Sequence, residues 1–129
     1  MPDEPLIVEA DALRLEQVIQ NLLQNAIKYS PDGGLITLHA LAQRPYVHVR
    51  ITDQGMGIPQ AAQARLFERF YRASNIDPQQ ISGLGIGLYV VQEIVTLHGG
   101  VITVESAEHQ GSTFTVTLPL LDPAAASQA

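Results

Sequence analysis

The sequence predicts an α/β two-layer sandwich, in which a mixed, largely antiparallel sheet carries its helices on one face. Two long helical segments each show a single apolar stripe, so each has one face to bury and one to leave in water. Four strand-like runs are joined in pairs by short turns, and hairpins make a sheet largely antiparallel. Stripes and alternating strands then share one core between a helical layer and a sheet.

The order along the chain reads strand, helix, two strands, short helix, helix, two strands. The opening "PDEPLIVEADALRLEQV" holds a short strand-like run and then a helix, with Asp11 as N-cap and Leu15, Val18, Ile19, Leu22 and Ala26 at helical spacing. "SPDGG" ends that helix. The runs "LITLHALA" and "YVHVRITD" follow, joined by "QRP"; Val47, Val49 and Ile51 alternate with His48, Arg50 and Thr52, so the pair reads as a hairpin. After "QGMGIPQ" a short helix is expected around "AAQARLFERF", and "YRASNIDPQQIS", which lacks a steady period, reads as a mobile loop. The second long helix starts near Gly87 and runs through "LYVVQEIVTLHGG", with Leu88, Val91, Ile94 and Val95 on one face and paired glycines as its stop. "VITVESA" and "STFTVTLPL" form a second hairpin around a Gly-containing turn. The final "LDPAAASQA" is small and unpatterned, which gives one domain over residues 1–121 and a disordered tail over 122–129.

Composition bounds the function. With 129 residues, 46% hydrophobic and 16% charged, the chain suits one globular domain. A net charge of −6 with only seven scattered Lys and Arg argues against a nucleic-acid surface, which needs clustered cations. The absence of cysteine excludes disulfides and thiolate metal sites. No signal peptide and no apolar run of about 18 residues is present, so the chain reads as soluble. Because structured chain follows Met1 at once, the sequence reads as a piece of a larger protein.

Three polar side chains interrupt the apolar logic of the first helix. At about 100° per residue, Asn21, Asn25 and Lys28 centre a second stripe roughly 110° from the apolar one, at a lateral edge that is neither core nor fully exposed. Amide oxygens one turn apart can ligate a hard cation while a lysine meets an anion, which fits magnesium with phosphate; a merely solvating flank is the other reading. Asp53 stands where its strand ends, followed by Gly55 and Gly57, which let the chain turn sharply. It is either a plain turn aspartate or an acceptor-only carboxylate suited to the exocyclic amine of adenine, where guanine's carbonyl would be repelled. In "SGLGIGLYV", Gly83, Gly85 and Gly87 directly precede a helix, whose uncovered N–H groups can bind phosphate oxygens; a hinge is the alternative, and the two are compatible. The spacing is neither the dinucleotide fingerprint nor a Walker loop.

Together, "NLLQNAIKYSPDGG", "DQGMGIP", "LFERFYRAS", "GLGIGL" and "GST" occur in the order of the N, G1, F, G2 and G3 boxes and resemble the catalytic ATP-binding domain of sensor histidine kinases. The resemblance spans about residues 6–119 and is specific, since five motifs fall in register. It implies the Bergerat-type fold shared with gyrase, Hsp90 and MutL ATPases, with ATP and Mg²⁺ as ligands. By that resemblance Asn25 would coordinate Mg²⁺, Asn21 would support metal and phosphates, Lys28 would face phosphate and Tyr29 the adenine. Asp53 would bind the adenine amine with Gly55 and Gly57 beside it, Gly83, Gly85, Gly87 and Leu88 would border the phosphates, and Thr113 would fix water at the base. Phe67 and Phe70 would anchor a lid from which Arg72 reaches the γ-phosphate. Leu84 stands where the family often has a small hydroxyl residue, which removes one phosphate hydrogen bond and leaves the backbone cradle.

The implied partners are ATP or ADP, a dimerisation and histidine phosphotransfer domain of the same kinase and, indirectly, a response regulator. The domain itself would be cytoplasmic without direct membrane contact, whether or not the parent kinase is anchored. His39, His48, His98 and His109 form no metal-spaced pair, and none is followed by the acidic residue that marks a phosphoacceptor in this family; all four read as structural or solvated. A conformational ATPase on the same fold would need a glutamate at position 21, and the amide of Asn21 cannot act as a general base. A module that binds nucleotide only to report it stays open at this level.

Overall fold

The computed structural model describes residues 8–30, 32–68 and 87–120. Residues 1–7, which hold most of the strand-like run expected near the N-terminus, the loop "YRASNIDPQQIS" and the tail over 122–129 lie outside the described residues. What is described runs α1 (Ala12–Lys28), β1 (Thr37–Gln43), β2 (Tyr46–Asp53), α2 (Gln60–Gln63), α3 (Gly87–Leu97), β3 (Val101–Ser106) and β4 (Ser112–Pro119). The strands form one antiparallel sheet in the order β1-β2-β4-β3. The two hairpins read from the sequence are thus present, and β2 and β4 pair to join them.

Local chemistry explains where the long helices begin and end. Asp11 caps α1, its carboxylate accepting from the N–H groups of Leu13 and Arg14, and so satisfies donors that the first turn leaves open. α3 ends in a paired-bond stop: the Gly99 N–H reaches Thr96 O and the Gly100 N–H reaches Val95 O, with Gly99 at a φ of 75° that favours glycine. His98 is structural, as expected of it. Its Nδ1 lies 2.8 Å from Ile94 O, and its Nε2 accepts the Asp11 N–H at 3.1 Å, so one imidazole joins the end of α3 to the start of α1.

The short helix is shorter than its periodicity suggests. α2 covers Gln60–Gln63 alone, and the chain continues in tight turns, with the Arg65 N–H on Ala62 O and the Glu68 N–H on Arg65 O. In these turns Leu66 is buried and Phe67 meets Phe114 edge to face at 6.4 Å between ring centroids.

The core lies between the helices and one face of the sheet. Val18, Leu22 and Ala26 of α1 and Leu88, Val91, Ile94 and Val95 of α3 bury their stripes against Val47, Ile51, Ile102, Phe114, Val116 and Leu118. α1 and α3 also pack on each other. The other face of the sheet is polar, with His48 Nδ1 2.8 Å from Thr117 Oγ1 and Thr52 Oγ1 3.1 Å from Thr113 Oγ1. This is the two-layer sandwich predicted.

The contrast along α1 can be measured. Leu22 is 1% exposed and Leu13 is 74% exposed. Leu22→Ala is expected to cost about 2–5 kcal/mol through lost burial and a residual cavity, and Leu13→Ala to stay within about 0.5 kcal/mol of the parent. Urea unfolding of both variants checks this, and equal losses would contradict the packing described.

Candidate functional site

Alternation along β2 decides which way its last residue faces. Val47 and Ile51 point into the core, so Asp53, two residues on, points to the same side, and it is only 4% exposed. A carboxylate buried there needs donors. Two backbone groups supply them: the Gly55 N–H donates to Oδ1 at 2.9 Å, and the N–H of Ser112, its partner across the β2–β4 ladder, also donates. Burial pushes the Asp53 carboxyl above the usual carboxylate range, and these two bonds only partly offset it.

The loop after Asp53 is wedged between α1 and the β3–β4 turn. The Met56 N–H donates to Tyr29 O at 2.9 Å, where α1 ends, and the His109 N–H donates to Met56 O at 2.6 Å. A Cβ on Gly55 would run into Tyr29 O and Ser30 Oγ, and one on Gly57, which has a φ of 68°, into Ala107 O. The glycines expected to allow a turn therefore also allow close backbone approach. Ile58 donates its N–H to Ser106 Oγ at 2.9 Å, and Gln63 Nε2 bonds both Ile58 O and Ser106 O, at 3.0 and 2.8 Å. Ser106 Oγ further lies 2.8 Å from Gly111 O and 2.8 Å from Ser112 Oγ.

The other predicted residues are placed as follows. Asn21 and Asn25 lie half-buried on the flank of α1, one turn apart, and neither amide makes a hydrogen bond within the described residues. Lys28 is exposed in the last turn, and Tyr29, the C-cap residue, is half-buried against the core. Gly87 opens α3, and among the described residues nothing would meet a Cβ placed there. Leu88 is a core residue, which leaves only its main chain, in the first turn of α3, for a ligand. Gly83, Leu84, Gly85, Phe70 and Arg72 lie outside the described residues.

Thr113, expected at the base of the site, lies on a different face from Asp53. Thr113 pairs with Thr52 and bonds it through the hydroxyl on the polar outer face of the sheet, away from Asp53. Ser112 is the hydroxyl residue beside Asp53, buried and facing the same side. The signal was available in parity: Ser112, Phe114, Val116 and Leu118 share one face, and three of the four are core side chains. Ser106 and Gln63 were missed altogether, because nothing local in the sequence says which distant backbone groups they meet.

The donor set suits nucleotide with magnesium. Mg²⁺ is commonly held by one or two protein oxygens together with substrate phosphates and water, and half-buried amides without side-chain hydrogen bonds to described residues can supply them. Among the described residues no group of three or more His, Asp or Glu side chains could hold a metal without such help. A cavity of about 340 Å³ lined by Val8, Leu97, His98 and Leu120 sits at the far end of β4 and contains none of these residues.

Comparison with known proteins agrees with the geometry. The family described as "Histidine kinase-, DNA gyrase B-, and HSP90-like ATPase" matches residues 10–122. The sensor histidine kinase WalK of Bacillus subtilis is 38% identical over 121 residues, covering 92% of this chain and 20% of that protein. The sensor histidine kinase TmoS of Ectopseudomonas mendocina is 44% identical over 119 residues, covering 92% of this chain and 12% of that protein. The chain thus spans a fifth or less of these curated relatives. Among solved structures, the mycobacterial sensor histidine kinase MprB superposes with a TM-score of 0.80 at 34% identity, over 88% of this chain and 76% of that one. Full-length ShkA in complex with AMPPNP does so at 0.75 and 30% identity, over 90% of this chain and 23% of that one.

The buried carboxylate gives a test that needs no ligand. Its folded pKa lies above the ordinary value of 3.8, so the folded state holds that proton more tightly than the unfolded chain. The stability that protonation contributes is present in full below the unfolded pKa and is lost as pH rises through the folded one. Asp53→Asn removes the buried charge; at neutral pH it is expected not to lower Tm, and its advantage over the parent should shrink as pH falls through the raised pKa. Thermal melts of both proteins between pH 3 and 7 check this, and an advantage that grows in acid would reverse the sign.

Proposed function

Because the chain belongs to the family of histidine kinase-, DNA gyrase B- and HSP90-like ATPases, we propose that it is the catalytic nucleotide-binding unit of a two-component sensor kinase. It binds Mg²⁺-ATP and presents the γ-phosphoryl group to a histidine on a separate dimerisation and phosphoacceptor domain. The observation that carries this reading is the Asp53 carboxylate, buried at a junction of three backbone segments and able only to accept hydrogen bonds.

Asp53 takes the exocyclic amine of adenine, and Ser112, in place of Thr113, stands beside it. Tyr29 borders the base, while Asn21, Asn25 and Lys28 lie along α1 toward the phosphates. Asn25 and Asn21 would hold Mg²⁺, which would offset the charge on the phosphates. The N–H groups at the start of α3 meet phosphate, and among the described residues nothing crowds Gly87 there. Gly83, Gly85 and the lid residue Arg72 belong to the same reading. Transfer forms a bond from the acceptor nitrogen to phosphorus and breaks the bond to the ADP oxygen, so positioning and charge stabilisation supply most of the catalysis. Since Asn21 offers no carboxylate to activate water, transfer to the acceptor is favoured over hydrolysis. The domain would work in the cytoplasm, and a response regulator would receive the phosphoryl group downstream.

Two measurements test the reading. In calorimetry, Asn25→Ala should weaken the Mg²⁺-dependent part of ATP affinity more than the rest, and an unchanged metal dependence would remove the ligand assignment. Incubated with γ-labelled ATP, the pure chain should neither label itself nor release phosphate at appreciable rates, whereas added acceptor domain of the parent kinase should become labelled. Steady phosphate release blocked by Asn21→Ala would instead favour a hydrolase.

A further inference from the structure

The Ser106 hydroxyl, at the end of β3, touches three groups: the Ile58 N–H at 2.9 Å, Gly111 O at 2.8 Å and Ser112 Oγ at 2.8 Å. A hydroxyl has one hydrogen and two lone pairs. The Ile58 N–H occupies one lone pair. Gly111 O can only accept, so the Ser106 hydrogen goes there. The contact with Ser112 is then satisfied in one direction only, with the Ser112 hydroxyl donating to the remaining lone pair of Ser106. The hydrogen of Ser112 is therefore committed toward β3, and its oxygen is left as an acceptor beside the Asp53 carboxylate, its cross-strand partner. Gln63 secures the arrangement by bonding the carbonyls of Ser106 and Ile58 together.

We infer that Ser106 is a positioning residue for base selection, fixing the Ser112 hydroxyl as an acceptor so that the base end of the site presents acceptors only. This rests on the nucleotide reading above and deepens it. An amine with two hydrogens, as on adenine, meets complementary partners there. A base with a carbonyl at that position meets two acceptors and no donor. Without Ser106 the Ser112 hydroxyl can rotate and donate, either to Asp53 or to the carbonyl of guanine. Loss of Ser106 therefore relaxes selectivity in a defined direction, by improving the binding of GTP, which general loosening of the fold does not do.

The test is a set of competition titrations with Mg²⁺-ATP and Mg²⁺-GTP on the 129-residue chain and its variants, with Tm recorded for each. Ser106→Ala is expected to lower the preference for ATP over GTP about fivefold, the scale of one neutral hydrogen bond, chiefly through tighter GTP. Ser106→Thr, which keeps the hydroxyl, should hold the parent preference. Ser106→Ala made on top of Ser112→Ala should add no further change, because the effect acts through Ser112. If Ser106→Ala does not fold, Ser106→Cys, whose thiol is a weak partner, is read in the same way. A variant that lowers Tm and leaves the preference unchanged overturns the inference and leaves the nucleotide reading standing. A parent chain that fails to prefer ATP removes the base assignment, and the inference with it.

Discussion

The burial of the Asp53 carboxylate is the constraint around which the site is organised. An ionised group withdrawn from water is costly unless donors replace the water it loses, and here the donors are main-chain N–H groups of Gly55 and Ser112. Both depend on backbone that is itself held elsewhere. Gly55 sits where the loop passes under Tyr29, and Ser112 opens β4 in register with Asp53. A single side chain thus requires the end of α1, the end of β2 and the start of β4 to be in place together. The raised pKa is the residue of that arrangement, since two hydrogen bonds do not fully replace hydration.

The hydrophobic layer supplies the stiffness that such a site needs. Val18, Leu22 and Ala26 seat α1 on the sheet, and the helix then delivers Asn21, Asn25, Lys28 and Tyr29 along its flank and end. The same sheet seats α3 through Val91, Ile94 and Val95, with His98 tying the two helices at the end away from Asp53. Groups meant for a ligand therefore ride on elements whose opposite faces are packed, and the packing sets their geometry. The polar hydrogen-bond cluster of Ser106, Ser112, Gln63 and Ile58 joins this scaffold to the loop after β2. Since each of its members is shared, disturbing one is felt by the rest.

On the proposed reading, a domain built in this way would bind and present a nucleotide and would leave the transfer to be completed with a partner domain. Its amides, backbone N–H groups and lysine would, on that reading, hold or stabilise charge, and Asn21 offers no carboxylate with which to recruit water.

Much of the fold was legible because hydrophobic periodicity is a local property. The stripes of α1 and α3 and the alternation in β2 and β4 report which faces are buried before any partner is known, and Asp11, Gly99 and Gly100 mark helix ends through their own backbone preferences. The placement of part of the candidate site was legible for the same reason, since Asn21, Asn25 and Lys28 share a helical flank and Asp53 ends a strand before glycines. What periodicity could not decide was which groups from separate segments meet. The end of α2 before the buried Leu66 and the Phe67–Phe114 contact was not readable locally, nor was it readable that Ser112 and not Thr113 shares the face of Asp53, which the β2–β4 register decides because one residue reverses the face. The parts played by Ser106 and Gln63 arise from hydrogen bonds spanning more than forty residues of chain. Such contacts exist only once the sheet has closed, so tertiary structure alone decided them.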